Sequence, residues 1–490
     1  MRRYLSRCFL LATVVAAPAC YEKAGPVLGP PSSLPPPEGV APVPSAAQVA
    51  WQRGEMAAFL HFGMNTFTNV EQGDGTDSPD LFQPTAFDAR QWITAIHNGG
   101  FHEAMLTAKH HDGFCLWPTT CTMYSVAASP FQDGNGDVVR QFVDAAHEAN
   151  VRVGLALSPL DRHEPTYGTA AYLSAFKCQL AELLNNYGSI DELWLWQVPG
   201  APTFDWAEIR DFVHGIQPQT LLEFSNAVPM APSELRSIGQ SSPGTAPGPT
   251  DQSSVQAVGE AGTTSYIPAE AVYSIRPGWF WHAAEDGQVK TAAQLLDLYF
   301  DSVGRNSVLR LNVPPDTRGL LADPDVAALN QLGVAIDALY RANAGAGRPA
   351  SVDSVFDGPA AYGASSAVDG SGDTFWLAAA GRTTARLELD LQGARTFDLI
   401  SIQEPIALGE RVTEHHVEAR VDGTWTTIAS GTTIGERKLH RLSPVTADRV
   451  ALVITAARAA PAISEVGFYD WEQGQAASGS LAGHRSPITP

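Results

Sequence analysis

Apolar and polar positions along this chain follow two different rhythms. Up to about residue 343, short apolar runs recur: MAAFLHFG (56–63), HEAMLTAK (102–109), VRVGLALS (151–158), DELWLW (191–196), LLEFSN (221–226), LRSIG (235–239), VYSIRP (272–277) and SVLRLNVP (307–314). Between several of them lie stretches with apolar residues at helical spacing, such as GDVVRQFVDAAHEAN (136–150) and YLSAFKCQLAELLNNYG (172–188). Eight candidate strands alternating with helices predict an α/β fold, a closed (β/α)8 TIM-type barrel over residues 45–343. An open doubly wound sheet is the competing arrangement, but no glycine-rich nucleotide loop follows the first strand.

The rhythm changes over residues 351–471. RLELDLQG, FDLISIQE, HHVEARV, TWTTIAS and RVALVITA alternate with period two and are separated by turn residues. This pattern predicts a C-terminal antiparallel β-sandwich. The Gly- and Ala-rich residues 344–350 mark the boundary, residues 21–44 read as a flexible Pro-rich linker, and residues 472–490 as a flexible tail.

Residues 1–20 read as a signal peptide. Arg2, Arg3 and Arg7 precede an apolar run, Phe9 to Ala17, too short to span a bilayer. The ending Ala17-Pro18-Ala19-Cys20 is similar to a lipoprotein cleavage site, so the expectation is an exported protein, secreted or lipid-anchored through Cys20 in a bacterial envelope. A formal charge of −21, from 31 basic and 52 acidic residues, argues against nucleic acid as a partner. Of five cysteines, Cys115 and Cys121 are near enough in sequence for a local disulfide, and the absence of a CxxC pair argues against a thiolate metal site.

Barrel enzymes carry their chemistry at the C-terminal ends of the strands, and the polar residues of this chain gather there. His61 closes the first strand; Lys109, His110, His111 and Asp112 close the second, with Trp117 in the loop beyond. Asp161, Arg162 and His163 follow the third, Trp196 and Gln197 close the fourth, Asn226 the fifth, Gln240 and Ser241 the sixth. Trp279, Trp281 and His282 follow the seventh. Imidazoles, amides and indoles converging on one mouth suit a sugar, whose hydroxyls need directional hydrogen bonds and whose ring carbons lie on aromatic faces. Trp117, and one of Trp279 and Trp281, have a competing assignment to the core. The HExxH spacing of a zinc hydrolase is absent, and no cofactor for chemistry is implied.

The stretches HFGMNTF (61–67), LTAKHHDGFCLWP (106–118), SPLDRH (158–163), YIPAEAVYSIRPGWFWH (266–282) and SVGRNSVLRLNVPPDTRGLL (302–321) resemble glycoside hydrolase family 29, the α-L-fucosidases. The likeness is greatest to the branch that cleaves α-1,3/1,4-linked fucose. IQEPIALGERV (402–412) and ARAAPAISEVGFY (457–469) resemble that branch's galactose-binding, discoidin-like domain. The resemblance implies fucosylated glycans as ligands, with His61, His110, His111, Trp117, Trp196 and Trp279 as substrate-binding positions. It also implies a retaining mechanism with two carboxylates about 5–5.5 Å apart. At the family's nucleophile position this chain has Trp196, and at its acid/base position Ser241. Leu160, Asn226 and Val272 are further departures. An indole forms no glycosyl ester and a serine hydroxyl is a poor proton donor. The expectation is therefore a glycan binder with little or no ordinary retaining hydrolysis. The alternative is an active glycosidase with relocated acids, Glu270 first, with Asp161 or Asp112 as its partner. In the sandwich, VDGSGDTFW (368–376) offers Asp369 and Asp373 as ligands for a structural calcium ion.

Overall fold

The computed structural model describes residues 37–196, 204–224, 233–238, 250–258, 263–356 and 362–471. The expected signal peptide, the C-terminal tail, Gln197, Asn226, Gln240 and Ser241 lie outside the described residues. Eight parallel strands form the first domain: β1 Met56–Leu60, β2 Glu103–Lys109, β3 Arg152–Leu157, β4 Glu192–Leu195, β5 Leu221–Phe224, β6 Arg236–Ile238, β7 Ala269–Ser274 and β8 Ser307–Asn312. Their order around the sheet is β5-β4-β3-β2-β1-β8-β7-β6. The end strands are drawn together where Glu234 N–H donates to the Leu222 carbonyl at 2.9 Å and Phe224 N–H donates to Ser233 Oγ at 3.1 Å. The barrel is thus mostly closed. The seventh strand begins earlier than the apolar pattern suggested, because Glu270 faces an interior that is charged there.

Helices cover the outside, started by side-chain caps. Asp137 accepts from Arg140 N–H at the head of Val138–Glu148, and Thr291 with Gln294 forms a capping box on Ala292–Ser302. Cys178 on the helix Ala170–Asn186 bonds to Cys121, with Cα atoms 6.0 Å apart. This corrects the expected Cys115–Cys121 link. Cys115 is free and buried in a segment pinned to Tyr124 and Val126, whereas Cys121 faces the helix.

The second domain is antiparallel. The strands Ala350–Val352, Ala385–Gln403, Lys438–Ala457, Val412–Val421 and Thr424–Gly431 pair in that order, and Glu465–Tyr469 adds to Ala385–Gln403. Leu387, Leu389 and Leu391 point alternately into a core with Trp376, Phe397, Val417, Leu452 and Phe468. The domains share polar contacts: Arg441 Nη1 meets Asp297 Oδ1 at 2.7 Å, Arg437 pairs with Glu55, and Lys438 with Asp251. Residues 38–41, part of the expected linker, are held by this domain: Arg411 donates to the Glu38 carbonyl and Val40 N–H to the Leu408 carbonyl.

The barrel interior has a charged layer beneath an aromatic one. Arg310 on β8 donates to both oxygens of Glu192 (2.9 and 2.7 Å), to Glu270, and to Glu103 at 3.4 Å; all four side chains are buried. Ser237 donates within the Glu223–Glu270 pair, and Trp51 Nε1 caps Glu192 Oε2 at 2.8 Å. Four carboxylates facing one guanidinium in a dry space cannot all be ionised cheaply. Burial, then the Glu192 charge, pushes Glu103 up to about 7, and burial with the Glu270 charge raises Glu223. Above this layer Phe59, Met105, Ala156, Trp194 and Val272 fill the barrel.

Replacing Arg310 with Met should cost about 3–5 kcal/mol at pH 7, because it strands buried carboxylates without a counter-charge. Urea denaturation should show that loss shrinking as pH falls from 7 toward 5, where Glu103 takes up a proton.

Candidate functional site

The mouth is built from residues immediately beyond the strands. His61 follows β1, His110 and His111 follow β2, Ser158 follows β3, Trp196 follows β4, and Asn312 ends β8. The rings converge: His110 lies 4.2 Å from His111, 6.0 Å from His61 and 5.7 Å from Trp196, and Trp279 lies 5.4 Å from His61 (centroid distances). Phe280 closes one side, 4.9 Å from His110.

Each imidazole is fixed by a partner whose own orientation is fixed elsewhere. Asn312 donates Nδ2–H to Ser274 Oγ and to the Trp279 carbonyl, so its Oδ1 accepts from His61 Nδ1–H at 2.7 Å. Asn65 donates Nδ2–H to the Glu71 carbonyl and to His110 Nδ1 at 3.1 Å, which puts the His110 proton on Nε2. Trp196 Nε1–H, an obligate donor, points at His111 Nε2 at 2.9 Å, leaving the His111 proton on Nδ1 toward Ser158 Oγ at 2.6 Å. The Ser158 hydroxyl donates to the Leu160 carbonyl at 2.8 Å. Burial keeps all three imidazoles neutral: His61 is lowered to about 4, His111 to about 3, and His110 well below the ordinary value.

The other expected site residues go elsewhere. Trp117 is buried in the core, its indole donating to Glu182 Oε2 at 2.8 Å, so it braces the Cys121 loop rather than lining the mouth. Asp161 is buried against Lys109 Nζ at 2.8 Å and accepts from His163 and Glu164 N–H. A Cβ at Gly113, which has φ +94°, would sit 2.3 Å from Asp161 Oδ1, so this loop closes only with glycine there. Glu270 belongs to the Arg310 layer inside the barrel. None of the three stands among the mouth rings, because each is committed to a partner elsewhere. Asp112 is also buried; burial raises it to about 7, and its Oδ2 has no partner among the described residues.

Glu71 was not singled out in the sequence. It lies in the β1 loop and accepts from Trp279 N–H at 3.0 Å, Phe280 N–H at 3.3 Å and His282 Nε2 at 2.8 Å. It therefore sets the loop that carries Trp279 and Phe280. Its neighbours in sequence are polar and loop-like, so neither periodicity nor strand position marked it. The arrangement offers neutral donors, neutral acceptors and ring faces, as a polyhydroxylated ligand requires.

The unfolded chain takes up protons on these histidines near pH 6.5, whereas the folded one resists until about pH 4 at His61. Their contribution to stability is therefore lost as pH falls across that window. In an NMR titration, His61 and His111 should stay flat from pH 8 to pH 5, and His111→Asn should narrow its stability deficit against the unaltered protein as pH falls from 6.5 toward 4.

A profile of the alpha-L-fucosidase family matches residues 45–338, and one of the F5/8 type C domain matches residues 350–466. Alpha-L-fucosidase 1 of Arabidopsis thaliana is 39% identical over 455 residues, 88% of each chain. A Ruminococcus gnavus glycoside hydrolase family 29 fucosidase, solved in complex with fucose, is 30% identical with a TM-score of 0.81, covering 90% of this chain and 97% of its own. A glycoside hydrolase family 29 member from an unknown rumen bacterium is 31% identical with a TM-score of 0.75, covering 89% and 78%. The matched segment takes in all eight strands and every ring of the mouth, and the chain belongs to the alpha-L-fucosidase family.

Proposed function

We propose that this protein binds terminal fucosyl or closely related neutral glycans at the barrel mouth, with little or no ordinary retaining hydrolysis. The observation that carries the reading is Trp196. At the end of β4, where the sequence resemblance places the nucleophile, an indole donates to His111 and no carboxylate stands among the described mouth rings. Ser241 at the acid/base position completes the loss. The fucose complex of the Ruminococcus gnavus relative supports fucose as the ligand. The sequence stretches point to the α-1,3/1,4 branch. Hydrolysis through Glu270 and Asp161 finds no support, since each is tied into a buried ion pair.

The Cys121–Cys178 bond fits an oxidising compartment and so supports export, with lipidation at Cys20 as the anchor. For calcium in the sandwich, Asp369 suits the role better than Asp373. Asp373 is mostly exposed and turned to Arg53 at 3.0 Å. Asp369 meets Thr374 Oγ1 beside the Ser371 carbonyl, and Glu465 adds a buried oxygen without a partner. Burial raises Glu465 to about 8, with Asp369 as a further cause, as for an acid that would gain from a cation.

Isothermal titration with methyl α-L-fucoside should give binding, while a fucose-release assay stays near background. Release at an ordinary kcat, about 1–10³ s⁻¹, would sink the reading. The double variant Trp196→Asp, Ser241→Glu should gain about 100-fold or more in fucose release. Saturating calcium should raise Tm by a few degrees in the unaltered protein and not in Glu465→Gln.

A further inference from the structure

The three mouth histidines are not equivalent. His111 has both nitrogens engaged, Nδ1 by Ser158 and Nε2 by Trp196. His61 uses only Nδ1, on Asn312, and His110 only Nδ1, on Asn65. Among the described residues neither remaining Nε2 has a partner. Their tautomers differ: His61 Nε2 carries a lone pair and His110 Nε2 carries a proton.

We propose that Trp196 is the specificity-setting residue of this mouth: by donating to His111 it withdraws that imidazole from ligand reading, leaving His61 as one acceptor and His110 as one donor for a pair of hydroxyls on a neutral sugar. This rests on the sugar-binding reading above. Trp196 has spent its only polar atom on His111, so toward a ligand it offers carbon, as does Phe280. A carboxylated sugar is disfavoured on the same grounds. The imidazoles are neutral, and Arg162 is committed to the Gly73 carbonyl at 2.7 Å and Gln72 Oε1 at 3.0 Å. Glu71, the acid behind Trp279, would repel a second carboxylate. A hydroxyl that donates to His61 and another that accepts from His110 satisfy both free nitrogens without any charge.

The test has two arms. In the first, the unaltered protein is titrated with methyl α-L-fucoside and with the three analogues that each lack one ring hydroxyl. Two analogues should lose about tenfold or more in affinity and the third should bind nearly as well as the parent. Equal losses for all three overturn the proposal. In the second, the imidazoles of the unaltered protein and of Trp196→Phe are titrated by NMR. Loss of the indole N–H leaves His111 Nε2 without its donor, so the ring ¹⁵N shift of His111 Nε2 should move while the ring shifts of His61 stay in place. An unmoved His111 overturns the indole lock. Failure to bind any of the four sugars, with His111 behaving as expected, removes the sugar reading and the specificity claim with it. Binding of the fucoside without discrimination removes the specificity claim alone.

Discussion

The guanidinium of Arg310 sits where the barrel can least tolerate an error. It is fully enclosed, and Glu103, Glu192 and Glu270 reach it from three other strands. A closed sheet must fill its own interior, and most do so with branched apolar side chains. This one places a cation in a dry space and ties β2, β4, β7 and β8 to it. Such a layer contributes less net stability than its contacts suggest, because desolvation opposes the attraction. Its effect is on geometry: any shift of one strand leaves a buried charge unpaired.

The mouth inherits that geometry through the aromatic layer above it. Phe59 lies 4.2 Å from His61 and 4.9 Å from Trp194, both tilted, so the rings of the mouth pack against rings in the core. The loops are then held by their own pairs, the buried Lys109 with Asp161 and Trp117 with the half-buried Glu182. Residues with strong polar chemistry thus serve mainly to hold the loops, and the imidazole and indole rings of the mouth are themselves neutral. That division explains why acids near the site in sequence are not acids of the site.

Under the function we propose, binding without bond cleavage is a coherent outcome of an indole at position 196 and a hydroxyl at position 241. A retaining glycosidase that needs two carboxylates across a glycosidic bond would lose that chemistry with an indole in place of one of them. Reading hydroxyls needs no charge, and the neutral imidazoles of His61 and His110 each keep a nitrogen suited to it. The Trp196 N–H orders the chain from His111 through Ser158 to the Leu160 carbonyl.

The chain's apolar rhythm was enough for the strands, for the change from barrel to sandwich, and for His61, His110, His111, Trp196 and Trp279 at one mouth, since these follow from local periodicity and from strand ends. It could not tell which of two cysteines meets Cys121, because Cys178 arrives on a helix far along the chain. Nor could it separate Glu270, Asp161 and Trp117 from the mouth: each stands in a family-like stretch, and only the fold shows Arg310, Lys109 and Glu182 waiting for them. Glu71 was invisible for the converse reason, as its partners are backbone N–H groups and the His282 imidazole of a loop that folds back from β7. Sequence fixes what a side chain can do; the three-dimensional path of distant segments decides which partner it meets, and in a low-dielectric interior that partner determines whether an acid, an indole or an imidazole is structure or site.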